Sequence, residues 1–301
     1  MVATSQRSRN RRSNSSREHG PRHVEPVLDP TWHSPYAPAA NERHANAAAV
    51  RRFALRRRLP QTIVVGIVAL GLIVMVMMTF WFALAGVIVA GLYAYDLRRV
   101  VMAYDRRGHT LAGEVLARFD VADDEINRQR LAIVLDRLAA TFGVDGVVPY
   151  IVRDAGYNAA LVPDQSGFAL IVTSAVMGDF ELIELEGVVA HCLARQRLGL
   201  LARESVASVV SMSAEHRGEL AGAGATYRAD EVAAATIRYP LGLAGALRRC
   251  ARQALPTNSF FTSPNYDQWR WIFFDVASDA SSSDLASLDD AELRAMALEE
   301  W

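Results

Sequence analysis

His191, Cys192 and Arg195 lie in the stretch Leu185 to Gly199, LEGVVAHCLARQRLG. Residues i and i+4 of a helix share a face, so a His at each would bring two imidazoles to one zinc ion. A Glu directly after the first His would then act as general base on the zinc-bound water, the logic of H-E-x-x-H. This chain keeps the first His only, with Cys192 at the base position and Arg195 at the second ligand position. A guanidinium cannot lose a proton to ligate a metal, and a zinc site needs at least three good protein ligands. Loss of the Glu alone would remove roughly 10²–10⁴ in rate. The expectation is therefore a site with no zinc and no hydrolysis.

Each surviving side chain has a plainer expectation. His191 reads as a buried, satisfied imidazole bonded to Asp230 from another helix. Cys192 has a His beside it, but neighbours i and i+1 on a helix do not face each other, so His191 is badly placed to activate the thiol. Arg195 is expected to pair with Glu186, Asp230 or Glu231. If Arg195 and Arg228 converge instead, they would form an anion or partner cleft. Cys192 and Cys250 are the two cysteines, read as buried thiols, with a mutual disulfide or shared metal as the alternative. His216 lies in SAEHRGE, which reads as a loop.

Helices and strands must hold these residues. Asp123 or Asp124 can cap a helix over DEINRQRLAIVLDRLAATFGV, with Leu131, Val134, Leu135, Leu138 and Phe142 as one apolar stripe and Gly143 as its stop. VVPYIVRDAGYNAALV and GFALIVTSAV are β-branched and aromatic runs separated by the turn signal PDQSG. The LEGVVAHCLARQRLG helix follows. A further helical region runs from about Ala225 to Gln253, interrupted at Pro240.

The helix and its surroundings resemble the HtpX-type and CaaX-prenyl-protease-type membrane zinc endopeptidases, whose corresponding helix reads ELEAVLAHELAH. Glu184-Leu185-Glu186, Val188, Ala190-His191 and Leu193-Ala194 match it. Asn158, Ala159 and Thr173 match the segment before it, and Tyr227, Arg228, Ala229, Asp230, Pro240, Ala246 and Leu247 match the later YRAD helix. The resemblance covers roughly residues 60–255. It implies an α+β fold: a mainly helical zincin-like metallopeptidase domain with a small β-sheet, behind a transmembrane segment. It also implies that Thr226 stands at the third zinc-ligand position and that Asp230 keeps the place of a residue supporting a ligand His. The family's late His-Pro is represented only by Ser263-Pro264, with Arg270 as a possible remnant. The chain is thus similar to a degenerate member: no catalytic residue and no metal are expected, and zinc enters only if the chemistry is retained by other ligands.

Composition and charge set the organisation. Residues 1–60 carry twelve Arg against four acids, whereas Ser278 to Trp301 carries seven acids against one Arg. Residues 1–48 lack apolar periodicity and are expected to be disordered, with His19, His23, His33 and His44 solvated. The uncharged run from Ile63 to Tyr95 spans 33 residues, and about 20 suffice to cross a bilayer. A single helix of that length would measure about 50 Å, so a two-helix hairpin is preferred. Arginines flank both ends, which places both in the cytoplasm, and Phe80-Trp81-Phe82 falls mid-run where a hairpin would meet the far interface. The expected organisation is an Arg/Ser-rich cytoplasmic tail (1–60), a transmembrane segment (61–96), a metallopeptidase-like domain (97–277) and an acidic Ser-rich, peripheral tail (278–301). The cell-membrane bilayer is the expected partner, with a membrane protein as a further candidate. No nucleic-acid partner is expected, because the basic block adjoins a membrane segment and not a folded face. Three functions compete: a membrane-anchored pseudopeptidase that binds or scaffolds, a divergent zinc endopeptidase acting on membrane proteins, and a plain membrane-associated interaction protein.

Overall fold

The structure, a computed structural model, describes residues 38–75, 80–222, 224–276 and 290–301. It is mostly helical with one small mixed sheet. The disorder expected of residues 1–48 lies, up to residue 37, outside the described residues, and so does the Ser-rich start of the acidic tail from Ser278.

The first two helices, α1 (Ala40–Val74) and α2 (Phe80–Arg107), run antiparallel. Thr62 Oγ1 meets Tyr93 Oη at 3.1 Å, Arg51 meets Asp105 at 3.2 Å, and Gly86 packs beside Leu72 and Ile73. By length and composition the stretch Asn41–Val74 can cross a membrane. The expected disordered tail therefore ends early, since helix begins at Ala40. The reason lies in the Ala-rich face of this stretch: Val50 and Ala54 are buried, and Val50 packs with Val206, Leu220 and Trp271 of the domain while the arginines point elsewhere. Farther along the pair the situation reverses. Ile67 is 66 % exposed and Leu92 64 %, a continuous apolar surface of a kind that soluble chains bury.

A short helix, α3 (Ala112–Leu116), leads to strand β1 (Asp120–Val121) and then α4 (Glu125–Phe142). Asp124 caps α4 by accepting from the Asn127 amide, Gly143 stops it at φ 65°, and the five-residue stripe is buried. Strands β2 (Val147–Arg153), β3 (Ala159–Asp164) and β4 (Gly167–Thr173) complete a sheet of order β1-β2-β4-β3. β2 and β4 are parallel, and β3 and β4 form a hairpin. The run from Val147 to Val162 is two strands because Asp154 breaks it, accepting from the Gly156 amide and from Ser259 and Phe260 across the fold.

The remaining helices are α5 (Ser174–Asp179), α6 (Leu182–Leu198), α7 (Leu201–Val209), α8 (Ala214–Ala221), α9 (Ala225–Ile237), α10 (Pro240–Arg252), α11 (Tyr266–Trp269) and α12 (Ala291–Glu299). His216 lies on α8 and not in a loop, because Ser213 caps that helix through the His216 amide. Pro240 opens α10 at its first turn, where the missing N–H costs nothing. α6 is apolar on nearly every face and forms the centre of the core, between α4, α9 and α10. Its crossing with α10 is very close: a Cβ on Gly187 would lie 2.7 Å from Leu243 Cα, and one on Gly242 2.5 Å from the Ile183 carbonyl.

The acidic C-terminal segment is not peripheral. Ala291, Ala295 and Leu298 share one face of α12 and join the main core against α9 and α10. Its carboxylates face outward, where Glu292 and Glu299 both pair with Arg248. Net charge hid this spacing of three apolar residues.

Candidate functional site

His191 leaves α6 in the middle of the core and is completely buried. Its Nδ1 lies 2.7 Å from Asp230 Oδ1 on α9. Thr226 sits one turn before Asp230 on the same helix and is also buried.

The cation that completes this cluster comes from the far end of the chain. Arg294 of α12 is fully buried and grips Asp230 with two bonds, Nε to Oδ2 at 2.7 Å and Nη2 to Oδ1 at 2.9 Å. Its third donor, Nη1, reaches the Phe274 carbonyl at 2.7 Å, and the guanidinium lies 5.1 Å from the Phe274 ring centroid. The His191 ring meets the same Phe274 edge-on at 5.1 Å. Burial favours an uncharged Asp230, but Arg294 and then His191 outweigh it and hold the carboxylate below its usual range. Burial dominates at His191 and pushes its pKa down to about 4, so the ring is neutral and Nδ1–H donates to Asp230.

Arg195 points away from that cluster. One turn after His191, it makes a second buried fork, Nε to Glu204 Oε1 at 3.2 Å and Nη2 to Glu204 Oε2 at 2.6 Å. Its remaining reach takes the Trp271 and Ile272 carbonyls at 2.6 and 2.7 Å. The carboxylates expected to pair with Arg195 have other partners: Glu186 takes Arg137, Asp230 takes Arg294 and Glu231 takes Arg228. Arg228 also binds Glu42 of α1, at 3.1 Å. Arg195 and Arg228 therefore do not converge on an anion cleft, since each faces carboxylates of its own.

The two buried arginines hold the stretch from Trp271 to Phe274, a 3-10 turn that becomes extended at Phe273. Arg195 binds the carbonyls of Trp271 and Ile272, and Arg294 binds that of Phe274. This segment lies along the outer edge of β3: Phe273 bridges Ala160, the Phe274 amide donates to the Ala159 carbonyl at 2.7 Å, and Asn158 exchanges two bonds with Asp275, each 3.0 Å. The edge that an added strand would use is taken by the chain itself.

Cys192 and Cys250 are free and buried, so the alternative of a disulfide between them is not realised. Burial pushes the Cys192 thiol up to about 12 and raises Cys250 well above the usual thiol range. A thiol held protonated in this way is a poor nucleophile. Arg270 is buried over the Trp271 ring at 5.0 Å.

Zinc, which the resemblance implies, does not fit the residues gathered here. Of the His191 nitrogens, Nδ1 is bonded to Asp230 and lies 3.5 Å from an Arg294 nitrogen, while Nε2 is buried with no hydrogen-bond partner among the described residues. One imidazole nitrogen flanked by guanidinium charge is not a three-ligand site. Among the described residues no group of three or more His, Cys, Asp or Glu stands where it could hold a metal.

Comparison with protein-family models gives no match, and none of the curated proteins matches the chain. Arg294 and Glu204 are the residues that motif reading missed. Arg294 carried one signal, as the single basic residue in a segment with seven acids. Glu204 carried none.

Proposed function

We propose that this chain is a membrane-anchored, peptidase-like protein, a degenerate relative of the HtpX-type endopeptidases, that works by binding or scaffolding and not by hydrolysis. In this reading the apolar halves of α1 and α2 cross the cell membrane as a hairpin. Their arginine-flanked ends, and the domain with them, face the cytoplasm.

The observation that carries the reading is the Arg294–Asp230–His191 interlock. Where hydrolysis would need an open metal position and a water, the core holds a guanidinium bonded twice to Asp230 and once to the Phe274 carbonyl. The occupied edge of β3 supports the same reading, because extended peptides are commonly recognised by adding to a free sheet edge. The zincin-like character of the fold belongs to this proposal and rests on the helix order and on the His191–Asp230 contact between α6 and α9.

Metal analysis of the purified full chain tests it. The expected zinc content is far below one equivalent and is unchanged by His191→Ala. Zinc near one equivalent per chain, lost in that variant, would establish the divergent endopeptidase instead. Specific co-purification of a defined membrane protein that survives in H191A but is lost on surface substitution of the domain would support the scaffolding role.

A further inference from the structure

At the base of the α1–α2 hairpin a groove of about 780 Å³ separates α1 from α8. One face of α1 lines it, through Asn46, Arg52, Phe53, Arg56, Arg57 and Pro60. Arg203 and Met212 close the other wall together with α8, whose Glu219 is the one acid against four arginines in the lining. Arg203 is tied down by the Leu220 carbonyl and Asn46, both at 2.6 Å. Arg56 meets Glu219 at 2.8 Å, but that pair is largely exposed and so weakly held. Arg52 is exposed and makes no ion pair among the described residues.

Position gives the groove its meaning. Ile63 and Val64, the first exposed residues of the uncharged run, stand directly above Pro60 on the same helix. At 1.5 Å per residue Arg56 lies about 10 Å below Ile63. The headgroup layer is roughly 5–7 Å deep on each side of the hydrocarbon, and an arginine side chain reaches several ångströms upward along an apolar surface. We propose that this groove seats the headgroup of an anionic phospholipid. Arg56 binds its phosphate, Arg52, one turn farther from the bilayer, adds positive charge at the polar end of the headgroup, Phe53 and Met212 line the wall beside it, and the acyl chains lie along Ile63, Val64 and Ile67. The proposal rests on the membrane placement of the hairpin given above.

The test uses the full chain in neutral detergent, titrated with dioctanoyl phosphatidylglycerol, dioctanoyl phosphatidylcholine, inorganic phosphate or a polyglutamate peptide while thermal unfolding is followed. Phosphatidylglycerol is expected to raise the midpoint saturably, at a concentration about tenfold lower than phosphatidylcholine and with a preference that falls as salt rises. R52Q/R56Q is expected to abolish the preference with its unliganded midpoint unchanged. If the double substitution lowers that midpoint, Arg52→Glu alone carries the same comparison. Equal response to the two lipids, a preference retained in the variants, or an equal response to phosphate or polyglutamate would overturn the proposal. Carbonate extraction of membranes separates this from failure of the hairpin reading. A chain released by carbonate overturns both, whereas a retained chain that shows no lipid preference overturns the headgroup site alone.

Discussion

Arg294 and Asp230, 64 residues apart in sequence, form a bidentate pair at 2.7 and 2.9 Å with neither side chain reaching solvent. The pair joins the last helix to the centre of the core. Asp230 in turn fixes the tautomer and orientation of His191, and Arg294 holds the Phe274 carbonyl. Removing the guanidinium leaves a buried carboxylate with only a neutral imidazole beside it, which costs roughly 3–5 kcal/mol. R294A is therefore expected to unfold well below the parent in a denaturant titration, and R294K to recover only part of the loss because an ammonium cannot make the fork. R294M/D230L, which removes both charges, is expected to be more stable than R294A.

The same reasoning applies to Arg195 and Glu204. E204Q keeps the shape but strips the charge that Arg195 faces, and R195M leaves Glu204 buried and removes the donors to Trp271 and Ile272. R195M is expected to lose roughly 3–5 kcal/mol. Because the segment it holds covers the β3 edge, hydrogen exchange at Ala160 and Phe274 should quicken in R195M well before global unfolding.

Stability should fall in acid in two stages. His191 is held at about 4 in the folded chain, below its ordinary value of 6.5. Between pH 6.5 and 4 the unfolded chain therefore binds a proton that the folded chain refuses, and stability drops with a slope of up to about 1.4 kcal/mol per pH unit. Asp230, with its pKa lowered, adds stability that is present above the ordinary carboxylate range and lost only as pH falls further. Denaturant midpoints of the parent and H191Q across this range check the first stage. The slope attributable to His191 should vanish in H191Q, and an unchanged slope would refute the assignment.

Neither thiol should react in the native chain. Cys192 and Cys250 are buried with their pKa values raised. Maleimide labelling is expected at the rate of unfolding, rising in step with denaturant. Rapid modification of Cys192 in the native state would contradict the geometry.

Gly187 marks where α6 and α10 touch. Its substitution by Ala puts a methyl 2.7 Å from the Leu243 backbone, which cannot move aside as a side chain would. G187A is expected to cost roughly 1–3 kcal/mol, measured by the shift in thermal midpoint, whereas Gly113→Ala, with open space around it, should cost nothing of that kind.

The sequence by itself determined what depends on near neighbours along the chain. Asp124 and Gly143 bounded α4 because capping is local, Pro240 divided α9 from α10, and the uncharged run from Ile63 to Tyr95 announced a membrane-length apolar element. It also placed the substituted positions of H-E-x-x-H on one helix, since i and i+4 spacing is a property of the helix alone. The tertiary structure decided the rest. Which carboxylate Arg195 meets depends on the turn at Gly199, after which α7 carries Glu204 to the guanidinium, not on any motif in the sequence. The α12 segment looked like a solvated acidic tail because its charge is visible in composition, while the apolar face of Ala291, Ala295 and Leu298 gains meaning only against α9 and α10. Arg294 entered the core for the same reason: a buried guanidinium is tolerable only where a carboxylate and a carbonyl already wait for it, and both lie far away in sequence.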